Sequence, residues 1–147
     1  MFFAPTRTSG PATATPIRGW RVQSSAVARE SGAAISTPSY QVRGWLDAPA
    51  RSTVMAALLA NGRYPDVFYS TNLRDQVDPS AFHVPWWYRS EFTVFGGGRT
   101  LLRTEGVIHK AELWVNGTQV AGVDQLAGAY PVHTFDVTSL VTRGANA

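Results

Sequence analysis

The stretch with the most chemical potential is Tyr64-Pro65-Asp66-Val67-Phe68-Tyr69-Ser70-Thr71-Asn72, followed further on by Pro85-Trp86-Trp87-Tyr88-Arg89. Aromatic faces stack on the C–H-rich faces of sugar rings, while Asn, Asp and Arg hydrogen-bond to hydroxyls. Both ingredients lie close together here. The same residues also suit a core. Trp86 and Tyr88 would alternate onto one strand face, and Arg89 would make a structural ion pair. Composition alone leaves these two readings even.

Other chemistries find less support. His83, His109 and His133 lack the His-x-x-x-His spacing of a helix-borne zinc site and read as isolated surface or sheet histidines, so no metal is expected. No Gly-x-Ser-x-Gly elbow marks a serine nucleophile. Glu91, Glu105 and Glu112 fall at alternating positions of expected strands. They read as solvent-facing rather than as the carboxylate pair of a glycosidase. With no cysteine there is no thiolate nucleophile, disulfide or cysteine-held metal. Asn116-Gly117-Thr118 fits an N-glycosylation sequon, but a hairpin turn explains Asn-Gly without a glycan and is the preferred reading. No cofactor is expected.

A chain of 147 residues, 44% hydrophobic, is the size of one domain with a packed core. Thirteen basic against ten acidic residues give a net charge of +3. The basic residues are scattered, Lys110 is the sole lysine, and no basic run marks a nucleic-acid surface. No apolar run is long enough to span a bilayer as a helix.

These residues need elements to position them. Residues 1–16, rich in Thr, Ala, Pro and Ser, read as a flexible leader. Gly19–Ser25 alternates as a first strand, and Tyr40–Leu46 reads as a second, with Trp45 as a core aromatic. Ser52–Ala60 is the one convincing helix, with Ser52 as N-cap and Asn61-Gly62 as the left-handed stop. Residues 63–85 form a long, proline-punctuated connection of the kind that is often functional. Trp86–Phe95, Thr100–Glu105, Ala111–Val115, Thr118–Gly122 and His133–Leu140 read as strands, with Asn116-Gly117 as a hairpin turn. Many short strands and one small helix indicate an all-β antiparallel sandwich or jelly roll. Gly144-Ala145-Asn146 reads as a turn with no return strand after it, so the domain of residues 17–147 is expected to be cut before its last strand.

The order Val54-Met55-Ala56-Ala57-Leu58-Leu59, Asn61-Gly62-Arg63-Tyr64-Pro65-Asp66, Phe68-Tyr69-Ser70-Thr71-Asn72, Trp86-Trp87-Tyr88-Arg89, Leu113-Trp114-Val115-Asn116-Gly117 and Phe135-Asp136-Val137-Thr138 resembles the N-terminal sugar-binding domain of glycoside hydrolase family 2. Within that family it is most similar to the exo-β-D-glucosaminidases, with the β-mannosidases next. The resemblance covers residues 17–147 and implies a galactose-binding-type jelly roll ahead of an immunoglobulin-like domain and a TIM barrel. It further implies that both catalytic glutamates sit on the barrel, which needs about 250 residues and has no room in this chain. The chain would then be a non-catalytic fragment of a secreted retaining β-glycosidase acting on chitosan-type oligosaccharides. By the same likeness Asn72 hydrogen-bonds the sugar and Asp124, after the hairpin, approaches it. Asp66, Tyr69 and Trp87 are loop and rim residues, and Arg89 anchors the loop through a carboxylate. The basic net charge does not favour a cationic glucosamine polymer, which leaves Asp66, Asp124 or acids elsewhere to meet the amine. Two rivals stand beside this reading: a free-standing lectin-like carbohydrate-binding module, and a structural domain that docks through Trp86 and Trp87.

Overall fold

The computed structural model describes residues 14–147, so the expected leader falls outside the described residues up to residue 13. In chain order the strands are β1 (Arg21–Ser24), β2 (Leu46–Asp47), β3 (Trp86–Arg89), β4 (Phe92–Val94), β5 (Leu101–Glu105), β6 (Leu113–Val115), β7 (Thr118–Ala121), β8 (Val132–Asp136) and β9 (Gly144–Asn146). Three short α-helices, α1 (Gly32–Ile35), α2 (Val54–Ala60) and α3 (Asn72–Gln76), and a 3-10 turn (Pro79–Phe82) lie between them.

Every strand pair is antiparallel. β1 sits between β2 and β3, and the rest pair as β4–β9, β5–β8 and β6–β7. The last three pairs are nested: the innermost is closed by a two-residue turn, and each outer pair encloses the one within. This is the rolled-up hairpin of a jelly roll. The all-β antiparallel architecture expected from the sequence is therefore the observed one. The Asn116-Gly117 turn is also where it was expected, with φ of 48° and 86° at its two residues, the left-handed pair a tight hairpin requires.

Two apolar clusters form much of the core. Val22, Ala48 and Ala57 are buried together, with Trp20, Leu46 and Trp86 packed against them. Ala28, Ile35 and Trp45 form the second, with Tyr40, Val42 and Trp87. Trp86 and Trp87 are neighbours on β3 and so point to opposite faces, one into each cluster.

Several sequence expectations shift. Tyr40–Leu46 is not a strand; only Leu46 and Asp47 pair with β1. The amide of Trp45 bonds back to Val42 O, and Gly44 at φ 74° turns the chain so that Trp45 enters the core. The helix starts one residue later than expected. Thr53, not Ser52, caps α2 by accepting from the Ala56 amide. The long 63–85 connection contains α3 and the 3-10 turn, elements too short to show a period. Trp86–Phe95 breaks at Ser90-Glu91 into β3 and β4. Gly144–Asn146 is not a turn but a strand, paired residue for residue with Val94, Thr93 and Phe92.

Candidate functional site

The segment 64–77 is pinned at two points by buried valines, Val67 and Val77. Between them the chain exposes Phe68 (91%), Tyr69 (75%) and Leu73 (55%). Three large apolar side chains exposed on one short segment differ from singly scattered surface hydrophobics. Two non-glycine residues with positive φ, Asp66 at 52° and Ser70 at 48°, bracket the exposed pair and turn it outwards.

Hydrogen bonds knit this segment to itself. Tyr69 N donates to Asp66 O (2.9 Å) and Asn72 N to Tyr69 O (3.0 Å). The Asn72 side chain closes the loop: its Nδ2 also donates to Asp66 O, at 2.9 Å. With that donor committed and no bond to Oδ1 from the described residues, Asn72 offers an acceptor, suited to a hydroxyl or ammonium donor. The Thr71 hydroxyl donates to Asp75 Oδ2 at 2.6 Å, and Arg74 Nε meets the other oxygen at 2.9 Å. These two donors hold the Asp75 carboxyl below its ordinary pKa, the Thr71 hydroxyl more strongly than Arg74.

Asp66, Tyr69 and Asn72 are thus one unit. Trp87 and Asp124 stand elsewhere. Trp87 is half-buried on β3, with its ring against the Ala28–Ile35–Trp45 cluster and Nε1 donating to Ala28 O at 3.2 Å. That is a core position rather than the loop rim expected for it. Asp124 is exposed on the turn after β7, and no hydrogen bond or ion pair joins it to the 66–72 loop among the described residues. Phe68 was missed as a site residue, although it lies in the stretch that drew attention. An aromatic between two turn-forming polar residues, Asp66 and Ser70, was the available signal.

Arg89 is buried at 6% exposure, and its partners are not those of a loop anchor. Nε donates to Ile35 O and one terminal nitrogen to Thr37 O, both at 2.9 Å. That nitrogen also reaches Glu91 Oε1 at 2.8 Å, and the guanidinium lies 5.8 Å from the Tyr40 ring centroid. The expected carboxylate partner is present. What Arg89 fastens, however, is the end of α1, not the 66–72 segment.

The 63–85 connection also contributes Arg63, Ala81 and Val84 to the lining of a cleft of about 420 Å³, together with Leu46, Leu58 and Trp86. None of the five candidate residues lines it, and Trp86 Nε1 is already spent on Ala81 O. No group of three or more metal-capable side chains occurs among the described residues. No helix among them is long and apolar enough to cross a membrane.

Comparison with known proteins agrees with this architecture. The family model described as "Glycosyl hydrolase 2 galactose-binding domain-like" matches residues 20–147. An exo-β-D-glucosaminidase of Streptomyces avermitilis is 50% identical over 144 residues, which is 97% of this chain and 16% of that protein. The crystal structure of the Amycolatopsis orientalis exo-chitosanase superposes with a TM-score of 0.87 at 47% identity, over 92% of this chain and 16% of that one. A β-D-mannosidase from Dictyoglomus thermophilum shares the fold, with a TM-score of 0.64 at 21% identity over 88% of this chain and 14% of its own. The chain therefore spans about one sixth of the length of the glucosaminidase and the exo-chitosanase. The family model's match across nearly all of the described residues shows that this chain belongs to the glycosyl hydrolase 2 galactose-binding domain-like family.

Proposed function

We propose that this chain is the non-catalytic N-terminal domain of an extracellular retaining β-glycosidase of the exo-β-D-glucosaminidase kind. The bond-breaking glutamates belong to a barrel elsewhere in the parent polypeptide, and an immunoglobulin-like domain lies between. The domain lends its 66–72 loop to a pocket that receives the end of a chitosan-type oligosaccharide. Asn72 presents its carbonyl oxygen to the sugar, and Asp66 and Tyr69 shape the approach. Trp87 supports the scaffold from the core, and Asp124 is a carboxylate available to the amine from a separate turn.

The observation that carries this reading is the loop itself. It is pinned by Val67 and Val77, rigidified by Asn72, and holds Phe68, Tyr69 and Leu73 in water. High identity to exo-β-D-glucosaminidases along nearly the whole chain supports the substrate class.

Two measurements test it. Calorimetric titration of the 147-residue chain with glucosamine oligomers is expected to show millimolar binding or none, because the pocket is shared. Clear saturation at micromolar concentration would instead establish a free-standing carbohydrate-binding module. In the parent enzyme, Asn72→Ala is expected to lower kcat/KM by about tenfold or more, the loss of one or two hydrogen bonds to the substrate. Unchanged turnover with an unchanged melting temperature would assign the domain a purely structural role.

A further inference from the structure

The turn between β6 and β7 is also a reactive sequence. In an Asn-Gly peptide the glycine amide nitrogen can attack the asparagine Cγ. The new N–Cγ bond closes a succinimide, the Cγ–Nδ2 bond breaks, and ammonia leaves with the proton that the glycine nitrogen gives up. Water then opens the ring at either carbonyl, giving aspartate or isoaspartate. Glycine hinders the attack least because it has no side chain.

Here both reactants are occupied. Asn116 Nδ2 donates to Leu140 O at 2.8 Å and to Asn146 Oδ1 at 2.7 Å, and Asn116 Oδ1 accepts from the Ala147 amide at 3.0 Å. The Gly117 amide, which must lose its proton to attack, donates to Ser36 Oγ at 2.9 Å. All three side-chain bonds of Asn116 come from residues 140–147. Asn146 is fully buried and cannot turn its amide over without loss. Its Nδ2 serves Thr142 O and Gly144 O, and its Oδ1 also accepts from Thr142 N at 2.7 Å.

We propose that Asn116 is a deamidation site gated by residues 140–147, and that its conversion bars them from reclosing. The amide becomes reactive only when residues 140–147 lift away. The new carboxylate then faces Leu140 O and Asn146 Oδ1, two acceptors where it needs donors, so two hydrogen bonds become two oxygen–oxygen repulsions. Isoaspartate adds a backbone methylene inside a two-residue turn as well. Each opening is a chance of irreversible release of β9 from β4.

The chain carries its own reference. Asn61-Gly62 has the same reactive sequence, and Asn61 Nδ2 is likewise held by two carbonyls, Asp47 O at 2.8 Å and Ala57 O at 2.7 Å. Its gate is the end of α2, where helices fray, together with Asp47 of β2.

The test follows both sites by peptide-mapping mass spectrometry of the full 147-residue chain at mildly alkaline pH, folded and in urea, with hydrogen exchange on the aged samples. In urea the two sites are expected to convert at similar rates. In the folded chain Asn116 is expected to convert at least about tenfold more slowly than in urea, because its rate scales with the open population. Ser36→Ala frees the Gly117 amide and is expected to speed Asn116 but not Asn61. Deamidated molecules are expected to lose amide protection in β4 and β9 while keeping it in β1 and β3. Equal rates for Asn116 in the two conditions would overturn the gate. Intact β4–β9 protection after conversion would overturn the lock.

Discussion

Three donors converge on Asp136. The Thr138 hydroxyl lies 2.6 Å from Oδ1, the Thr138 amide 3.1 Å from the same oxygen, and Arg99 Nε 2.8 Å from Oδ2. They favour the ionised form, the Thr138 hydroxyl most, and hold the carboxyl at about 2 against an ordinary 3.8. A depressed pKa contributes stability that is complete above the unfolded value and vanishes as pH falls through the folded one. The acid limb of the melting curve should therefore steepen between pH 3.8 and about 2. Asp136→Asn is expected to flatten part of that limb when melting temperature is followed against pH. Asp75 and Asp78, lowered in the same direction by Thr71 and Ser80, keep the remainder. The sequence shows Asp136-Val137-Thr138 plainly, yet nothing local reveals that Arg99 is its partner across the β5–β8 ladder.

At the scale of elements, α1 shows how a four-residue helix survives. Ser31 caps it by accepting from the Ala34 amide, and Arg89 takes the carbonyl of its last residue, Ile35. Gly32 lets it lie directly on the Trp114 indole of β6, since a Cβ there would run into the ring. Gly32→Ala is expected to cost about 1–3 kcal/mol by overpacking, read as a drop in the urea midpoint at constant m. Arg89→Leu is expected to cost about 2–4 kcal/mol, because it strands the carbonyls of Ile35 and Thr37. Neither role was legible in the sequence, where the four residues of α1 are too few to show a helical period and Arg89 reads as an anchor for a different segment. What was legible was set by neighbours in the chain. Asn116-Gly117 declares its hairpin through two adjacent residues that tolerate positive φ. Tyr40–Leu46 misled because the alternation is real while the burial of Trp45, a tertiary event, bends it. Gly144–Asn146 misled because its partner strand ends at Val94, far back in the sequence. Asn72 was indicated by family likeness. That Asp66, Tyr69 and Asn72 form one hydrogen-bonded unit, while Trp87 joins the core, emerged only from the fold.

For the whole molecule, the exposed Phe68, Tyr69 and Leu73 have a meaning that depends on what surrounds them. In the 147-residue chain alone they contact water, so Phe68→Ser with Leu73→Ser is expected to leave the melting temperature within about 1 °C, as for surface substitutions away from the core. Under the proposed function the loop would cover a neighbouring surface in the parent polypeptide, and the same pair should then lower turnover. A matched loss of stability in the isolated chain would show that these side chains serve the domain and not a contact.

The nesting of β6–β7 inside β5–β8 inside β4–β9 also sets an order of assembly. The innermost pair closes over two residues, whereas the outermost must join Val94 to Gly144. Chain-closure entropy rises only slowly with the length spanned, and each inner closure shortens the effective span of the next. Such a chain zips from Asn116 outwards. During synthesis the inner ladders can form before residues 144–146 have emerged from the ribosome, so that β9 closes the roll after β5–β8 and β6–β7 are in place.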